Sequence, residues 1–144
     1  MQIIFDYNRT LFNPDTNKLY VGVAKLLAKI SRKHELFLIS QNEPKRKDRI
    51  YELKIEKYFK QIVFVQEKTV RIFRDLIQDK HKVLVVGDRV SREITIGNKL
   101  GYITVWIQQG KFSINIPTKS QEQPDYTIRN LLELENIISK HEKE

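Results

Sequence analysis

Cysteine is absent from this chain of 144 residues, and so are long apolar runs. Without cysteine there are no disulfides, no thiol nucleophile and no cysteine-ligated metal, a composition that suits a cytoplasmic protein. No stretch approaches the roughly 18 to 20 apolar residues that a membrane-spanning helix requires. Asp6, Asn8 and Arg9 interrupt the apolar N-terminal stretch, which therefore lacks the pattern of a signal peptide. We expect a globular cytoplasmic protein with no membrane partner.

Positive charge is in excess, with 26 Lys and Arg against 18 Asp and Glu and a formal net charge of +8 at pH 7. Such a charge could attract phosphates or nucleic acid. Much of it lies on apparent helix faces, and the basic segment Lys45–Arg49 has no interleaved aromatic residues for base stacking. A solvated surface is the favoured interpretation of the charge, and a solvated helix start that of this segment. The weaker alternative is that the segment binds a polyphosphate or nucleic acid near Ser40.

Short apolar runs alternate along the chain with stretches of helical periodicity. The runs are Met1–Phe5, Leu36–Ile39, Ile62–Val65, Val83–Val86 and Tyr102–Ile107, with Tyr126–Ile128 as a short sixth strand. Helices are predicted from about Tyr20 to Lys33, from Pro44 with Tyr58 and Phe59 on the apolar face, over 70–77, near 94–101 and from about Asn130. This alternation predicts one α/β domain over 1–144, a three-layer α/β/α sandwich with a doubly wound, mainly parallel sheet of about five to six strands.

Several predicted strands end in side chains that could form a site. Asp6 and Asn8 follow the first strand, Ser40 the second, Lys68 the third and Asp88 the fourth. In open parallel sheets ligands bind at the carboxyl edge, where these residues would meet. Mg²⁺ takes oxygen ligands and often shares them with phosphate, so two Asp carboxylates beside a Lys predict a site for phosphate and metal. An Asp there can also act as a phosphoryl-accepting nucleophile that a neighbouring Lys keeps ionised.

These residues lie in segments that resemble the four motifs of the haloacid dehalogenase-like (HAD) superfamily. Asp6–Phe12 is similar to the Asp-x-Asp-x-Thr loop, and Leu36–Gln41 to the apolar strand that ends in Ser or Thr. Lys68 before a helix matches the third motif, and Val83–Asp88 followed by Glu93 and Gly97 matches the fourth. The segment Pro124–Ile128 resembles the end of the domain. The four motifs occur in order and cover nearly the whole chain.

The resemblance implies a phosphatase-like hydrolase that uses Mg²⁺ and a Rossmann-like HAD fold. Asp6 would be nucleophile and metal ligand, Asn8 a ligand through its main-chain carbonyl, and Asp88 a side-chain ligand. Glu93 would stand behind the metal and orient a ligand or a water. The remaining implied roles are phosphate binding by Ser40 and the Gln41 amide, pairing of Lys68 with Asp6 and the phosphate, and bracing of the loop by Thr10.

Two departures from the family pattern bear on activity. The family's phosphatases have a second Asp, the general acid and base, where this chain has Asn8. An amide cannot exchange a proton, so we expect either a slow phosphatase or a catalytically silent domain that binds a phosphorylated ligand or protein. Arg9 stands where Gly is common, and its guanidinium either clamps an anion or points to solvent.

The intervals between the motifs suggest a capless member of the superfamily. One turn, one helix and one strand fill the stretch from Thr10 to Ser40, and a helix and a strand fill the stretch from Ser40 to Lys68. Neither interval has room for the inserted cap domain of many relatives. We therefore expect a site that is open to a phosphorylated small molecule or macromolecule, or one that a second copy of the chain covers as a homo-oligomer.

Overall fold

The computed structural model describes residues 1–77 and 82–143. Over these residues the strands are β1 (Gln2–Asp6), β2 (Phe12–Asn13), β3 (Lys18–Leu19), β4 (Glu35–Gln41), β5 (Gln61–Val65), β6 (Val83–Gly87), β7 (Ile103–Ile107) and β8 (Tyr126–Ile128). The α-helices are α1 (Val23–Ile30), α2 (Arg46–Glu52), α3 (Val70–Leu76), α4 (Thr95–Lys99) and α5 (Leu134–Glu142). A π-helical turn, Val90–Ile94, leads directly into α4.

Six of the strands form one parallel sheet in the order β5-β4-β1-β6-β7-β8. The chain runs outward from β1 through β4 to β5, and then returns to build the other half from β6 to β8. The order reverses beside β1, and such a switch point opens a crevice at the carboxyl edge of the sheet. The short β2–β3 hairpin follows β1 and is separate from this sheet.

Apolar residues cover both faces of the sheet, which confirms the predicted three-layer sandwich. On one face Ile3 and Phe5 of β1 share a core with buried residues of α1, α2 and α5. On the other face Ile4 packs in a second core with Phe73 of α3 and Ile96 of α4. The two faces follow from the alternation of side chains along a strand. All five residues of β6 are buried, as expected for a central strand.

Two helices are shorter than predicted because backbone positions with positive φ stop them. Gly22, at φ 82°, precedes α1, so this helix begins at Val23 and not near Tyr20. Lys54, at φ 57°, follows α2, and Tyr58 and Phe59 therefore lie beyond that helix, at the end of a 3₁₀ turn. Over the described residues no helix is both long enough and apolar enough to cross a membrane.

Strand register brings the predicted site residues to one edge of the sheet. Phe5 pairs with Val86 and Asp6 with Ile39 in parallel ladders. Asp6 ends β1, and Ser40 in β4 and Asp88 just after β6 each lie one residue further along, at the edge where the order of strands reverses.

Candidate active site

Asp6 is buried at the end of β1, and two donors fix the orientation of its carboxylate. The Lys68 ammonium forms an ion pair with Oδ1. The Thr10 hydroxyl donates to Oδ2 at 3.3 Å. Lys68 reaches the site because it immediately precedes Thr69, whose side chain accepts from the Ile72 N–H and caps α3. The structure thus brings together the first and third predicted motifs around one carboxylate.

Asp88 and Glu93 complete a buried acidic cluster with Asp6. Carboxylate oxygens of the three residues lie within 4.8 Å of one another. Glu93 also accepts from the Lys68 ammonium at 2.9 Å and from Arg92 Nε at 2.7 Å. Trp106, which is buried in β7 as predicted, donates from its indole N–H to the Asp88 carbonyl at 2.9 Å and thereby holds the chain at Asp88 in place.

Within the described part of the chain, two buried oxygens of the acidic cluster lack hydrogen-bond partners, Asp88 Oδ1 and Glu93 Oε2. A buried carboxylate oxygen without a donor is costly unless something else satisfies it. A hard divalent cation would do so, since carboxylate oxygens are its preferred ligands. The donor set therefore fits a metal of the magnesium type.

Local electrostatics give Asp6 and Asp88 different protonation states. Burial alone would raise the pKa of Asp6, but the Lys68 ammonium and a hydrogen bond with Asp88 outweigh it and hold that pKa below its ordinary value. Burial and the negative charge of Asp6, with a smaller contribution from Glu93, raise the pKa of Asp88 to about 9. Among the protein's own groups at neutral pH, Asp6 is therefore the ionised member of the pair and Asp88 carries the proton.

The raised pKa of Asp88 predicts a pH-dependent stability. The folded protein keeps a proton on Asp88 that the unfolded chain releases above about pH 4, so the stabilisation is lost as pH rises toward about 9. With a chelator present, the free energy of unfolding of the wild type relative to Asp88→Asn should fall between about pH 5 and pH 9 in urea titrations. Mg²⁺ should restore more stability at the higher pH. A difference that rises with pH would contradict this assignment.

Gly87 is needed because Glu93 packs against it. A Cβ at position 87 would lie 2.6 Å from the Cβ of Glu93 and 2.7 Å from its Cγ. Gly87→Ala should therefore displace Glu93, lower the free energy of unfolding by about 1–3 kcal/mol and weaken Mg²⁺ binding. Thermal denaturation with and without Mg²⁺ measures both effects. An unchanged melting temperature and an unchanged Mg²⁺ shift would show that Glu93 is not held by this contact.

Above the acidic cluster lies a cleft of about 160 Å³. The predicted residues Asp6, Asn8, Gln41 and Asp88 line it. The predicted Ser40 is fully buried beside it, where its hydroxyl donates to the Gln41 carbonyl at 3.1 Å and accepts from Arg46 at 2.7 Å. The structure thus brings all the predicted site residues together.

The cationic side of the cleft is lined by Arg9, Arg46, Arg89 and Arg92. Sequence reasoning offered an anion-binding role for Arg9 and for the segment of Arg46 as one alternative, and it missed Arg89 and Arg92. Arg46 begins α2, as the favoured interpretation of a helix start predicted, but it is partly buried: its guanidinium bonds Ser40 and lies 4.8 Å from the centroid of the Tyr7 ring. Its neighbours Lys45 and Lys47 are exposed, as predicted. The available signals were the proximity of Arg46 to Ser40 in sequence and the position of Arg92 next to Glu93.

The known proteins that resemble this chain in sequence are hydrolases and phosphatases. A family model described as HAD-hydrolase-like matches residues 67–134. A glyceraldehyde 3-phosphate phosphatase from Methanocaldococcus jannaschii is 38% identical over 63 residues, which are 44% of this chain and 26% of that protein. A second, from Methanopyrus kandleri, is 28% identical over 103 residues, which are 65% of this chain and 44% of that protein. The chain thus spans less than half the length of these curated relatives.

Solved structures share the fold at low identity. A protein classed as a haloacid dehalogenase-like hydrolase, from Burkholderia xenovorans, superposes with a TM-score of 0.82 at 10% identity, covering 96% of both chains. A protein classed as a HAD hydrolase, from Bacillus subtilis and solved with magnesium, has a TM-score of 0.72 at 22% identity. That match covers 84% of this chain and 56% of the other. The predicted α/β/α fold is confirmed.

Proposed function

Because the chain belongs to the haloacid dehalogenase-like superfamily, we propose that it is a magnesium-dependent phosphohydrolase that works through an aspartyl-phosphate at Asp6. One observation carries the proposal. The Asp6 carboxylate lies buried beside Lys68 at the base of a cleft that four arginines line, so an anionic nucleophile faces a cationic binding site.

The acidic cluster would hold the metal. Asp6 and Asp88 would supply carboxylate oxygens and Asn8 its main-chain carbonyl, while Glu93 lies beside them to fix the ligand geometry. Bound Mg²⁺ would offset the negative charge of the phosphate and of the carboxylates around it. Among the described residues, Asp88 and Glu93 each have a buried carboxylate oxygen without a hydrogen-bond partner, which supports this assignment.

Asp6 is suited to attack at phosphorus because its carboxylate is ionised and oriented. Lys68 keeps the proton off Asp6, and Thr10 prevents the carboxylate from rotating. Attack would form a bond between Asp6 and phosphorus and release the alcohol as an oxyanion. The guanidinium of Arg46, which is already fixed by Ser40, and the Gln41 amide would hold the phosphate oxygens during the transfer.

Asn8 limits the rate of both steps that need a proton. The departing alkoxide requires an acid, and hydrolysis of the aspartyl-phosphate requires a base for water. Asn8 lines the cleft with Asp6, and an amide there cannot exchange a proton. Esters whose alcohols leave readily as anions should therefore be turned over faster than alkyl phosphates.

The short connections between the motifs support a capless member of the superfamily, whose site would be open. Between Thr10 and Ser40 the structure contains the β2–β3 hairpin, α1 and most of β4. Between Ser40 and Lys68 it contains α2, a 3₁₀ turn and β5. Substrate selection would then fall to residues at the rim of the cleft or to a second copy of the chain.

A phosphate-release assay tests the function. A panel of phosphorylated metabolites should yield inorganic phosphate with Mg²⁺ and none with a chelator. The curated relatives, two glyceraldehyde 3-phosphate phosphatases, make a small phosphate ester the first class to try. Failure of every ester, including activated aryl phosphates, at full Mg²⁺ occupancy would exclude the hydrolase.

The alternative function is a catalytically silent domain that binds a phosphorylated ligand or protein partner. Asn8 is the observation that favours it, since the side chain at this position has no titratable proton. Such a protein would bind phosphate esters with Mg²⁺ in calorimetry but would release no phosphate, even from an aryl ester.

A further inference from the structure

Among the described residues, four arginines line the cleft, against a single carboxylate outside the acidic cluster, that of Glu43, so the cleft contains more positive charge than the reacting phosphate requires. Arg92 is neutralised by Glu93 and lies 4.0 Å from Asp6. Arg46 is held by Ser40, beside the position assigned to the transferred phosphate. Two guanidinium groups remain, those of Arg9 and Arg89, and neither forms an ion pair with any carboxylate of the described residues.

Phe112 orients both of these arginines. The guanidinium carbons of Arg89 and Arg9 lie 4.2 and 5.8 Å from the centroid of its ring. The Phe112 loop is in turn fixed to the loop after β1, because the Gln109 side chain donates to the Arg9 carbonyl at 2.9 Å. The pair is therefore built into the fold from three separate segments of the chain.

Gly110 lets the Arg9 side chain pack closely against the Phe112 loop. A Cβ on Gly110 would lie 3.2 Å from the Cδ of Arg9, and Gly110 has φ 71°. Arg9 itself has φ 61°, a conformation that costs a non-glycine residue free energy. This conformation places the Arg9 guanidinium at the rim of the cleft. The sequence left two alternatives for it, an anion clamp or a side chain in solvent.

We propose that Arg9 and Arg89 bind a second phosphate group on the leaving alcohol, so that the substrate is a small-molecule bisphosphate. Two unneutralised guanidinium groups balance the two negative charges of a phosphate dianion, whereas a carboxylate would balance only one of them. The forked N–H donors of a guanidinium also fit the geometry of phosphate oxygens. Phe112 is the only aromatic residue among the described residues that line the cleft. Its ring already contacts cations, so it does not offer the free face that a nucleic-acid base would need.

This inference rests on the proposed phosphohydrolase function, and matched ligands separate the two. Butane-1,4-diol monophosphate and bisphosphate differ only in the second phosphate, and 4-phosphooxybutanoate has a carboxylate in its place. Both kcat/KM and the Kd from calorimetry are measured with Mg²⁺ at constant ionic strength. The variants are Arg9→Gln and Arg89→Gln. Arg71→Gln, on the exposed side of α3 where Arg71 pairs with Asp75, is the charge-matched control.

The wild type should prefer the bisphosphate over the monophosphate by about tenfold to a hundredfold, as expected for charge-assisted hydrogen bonds. Arg9→Gln or Arg89→Gln should remove most of this preference, and Arg71→Gln should keep it. Tighter binding of the bisphosphate without hydrolysis would support the second subsite by itself, and the phosphohydrolase would be refuted only if an activated aryl phosphate also released no phosphate under the same conditions.

Three results would overturn the second subsite. The first is hydrolysis of both esters with equal kcat/KM and equal Kd, which would leave the phosphohydrolase intact. The second is equal binding of the carboxylate analogue and the bisphosphate. The third is an equal loss of the preference for the bisphosphate in Arg71→Gln, which would show that the preference depends only on the net charge of the protein.

Discussion

Replacing Asn8 with Asp is expected to raise the turnover of alkyl phosphates by about a hundredfold to ten-thousandfold, the usual contribution of a general acid and base. Asn8 lines the cleft together with Asp6, so we expect an Asp at this position to protonate the departing alkoxide and later to activate water. Aryl phosphates should gain less in the phosphoryl-transfer step, because their alcohols leave as stable anions. Rates of phosphate release for a matched alkyl and aryl pair measure the difference.

Two observations would separate an added acid from an added charge. Asn8→Ala removes the amide without supplying a carboxyl group, and it should give no gain with either ester. The pH profile of kcat for Asn8→Asp should acquire a limb that the wild type lacks, because a new titrating group enters the reaction. A gain in the Ala variant would show that the effect does not come from an added acid, and no gain with alkyl phosphates in the Asp variant would favour the binding domain over the hydrolase.

Replacing Asp6 with Asn is expected to abolish turnover, with kcat falling by about 10⁴-fold or more, as for other catalytic nucleophiles. The substitution keeps the shape of the side chain but removes the atom that would attack phosphorus. Lys68 would still pair with Glu93, so its charge would not be left without a partner. The loss should therefore come from chemistry, which is measured as phosphate release, while the protein stays folded by circular dichroism.

The pH dependence of stability provides a control for the Asp6→Asn variant. The negative charge of Asp6 is the largest contribution after burial to the raised pKa of Asp88. In Asp6→Asn the pKa of Asp88 should therefore fall, and the loss of stability between about pH 5 and pH 9 should become shallower. Residual turnover at the wild-type rate would exclude Asp6 as the nucleophile, whatever the stability of the variant.

The strands of the main sheet were predictable because central parallel strands are apolar on both faces. Val83–Val86 is such a run, and β6 is buried along its whole length. The ends of the helices were harder to predict, since they depend on single backbone conformations. Lys54 adopts a left-handed conformation without being glycine, and nothing in a lysine side chain predicts that.

The acidic half of the site could be predicted and the cationic half could not. Asp6 and Asp88 each follow a strand, so the fold alone brings them together. Arg9, Arg46, Arg89 and Phe112 come from four segments, and their meeting depends on how the connections after β1, β4, β6 and β7 pack on one another. That packing depends on side-chain contacts such as Gln109 with the Arg9 carbonyl, which have no pattern in the sequence.

The central claim is covalent transfer of phosphate to Asp6, and trapping that adduct tests it most directly. Asn8 supplies no base for hydrolysis of the aspartyl-phosphate, so the adduct should accumulate when an aryl phosphate is mixed with the protein and Mg²⁺. Borohydride reduction after acid quenching converts an aspartyl-phosphate into homoserine, which peptide mass spectrometry locates. We predict homoserine at position 6, only with Mg²⁺ and substrate. Phosphate release with Asp6 unmodified under these conditions, or modification of another carboxylate, would contradict the mechanism.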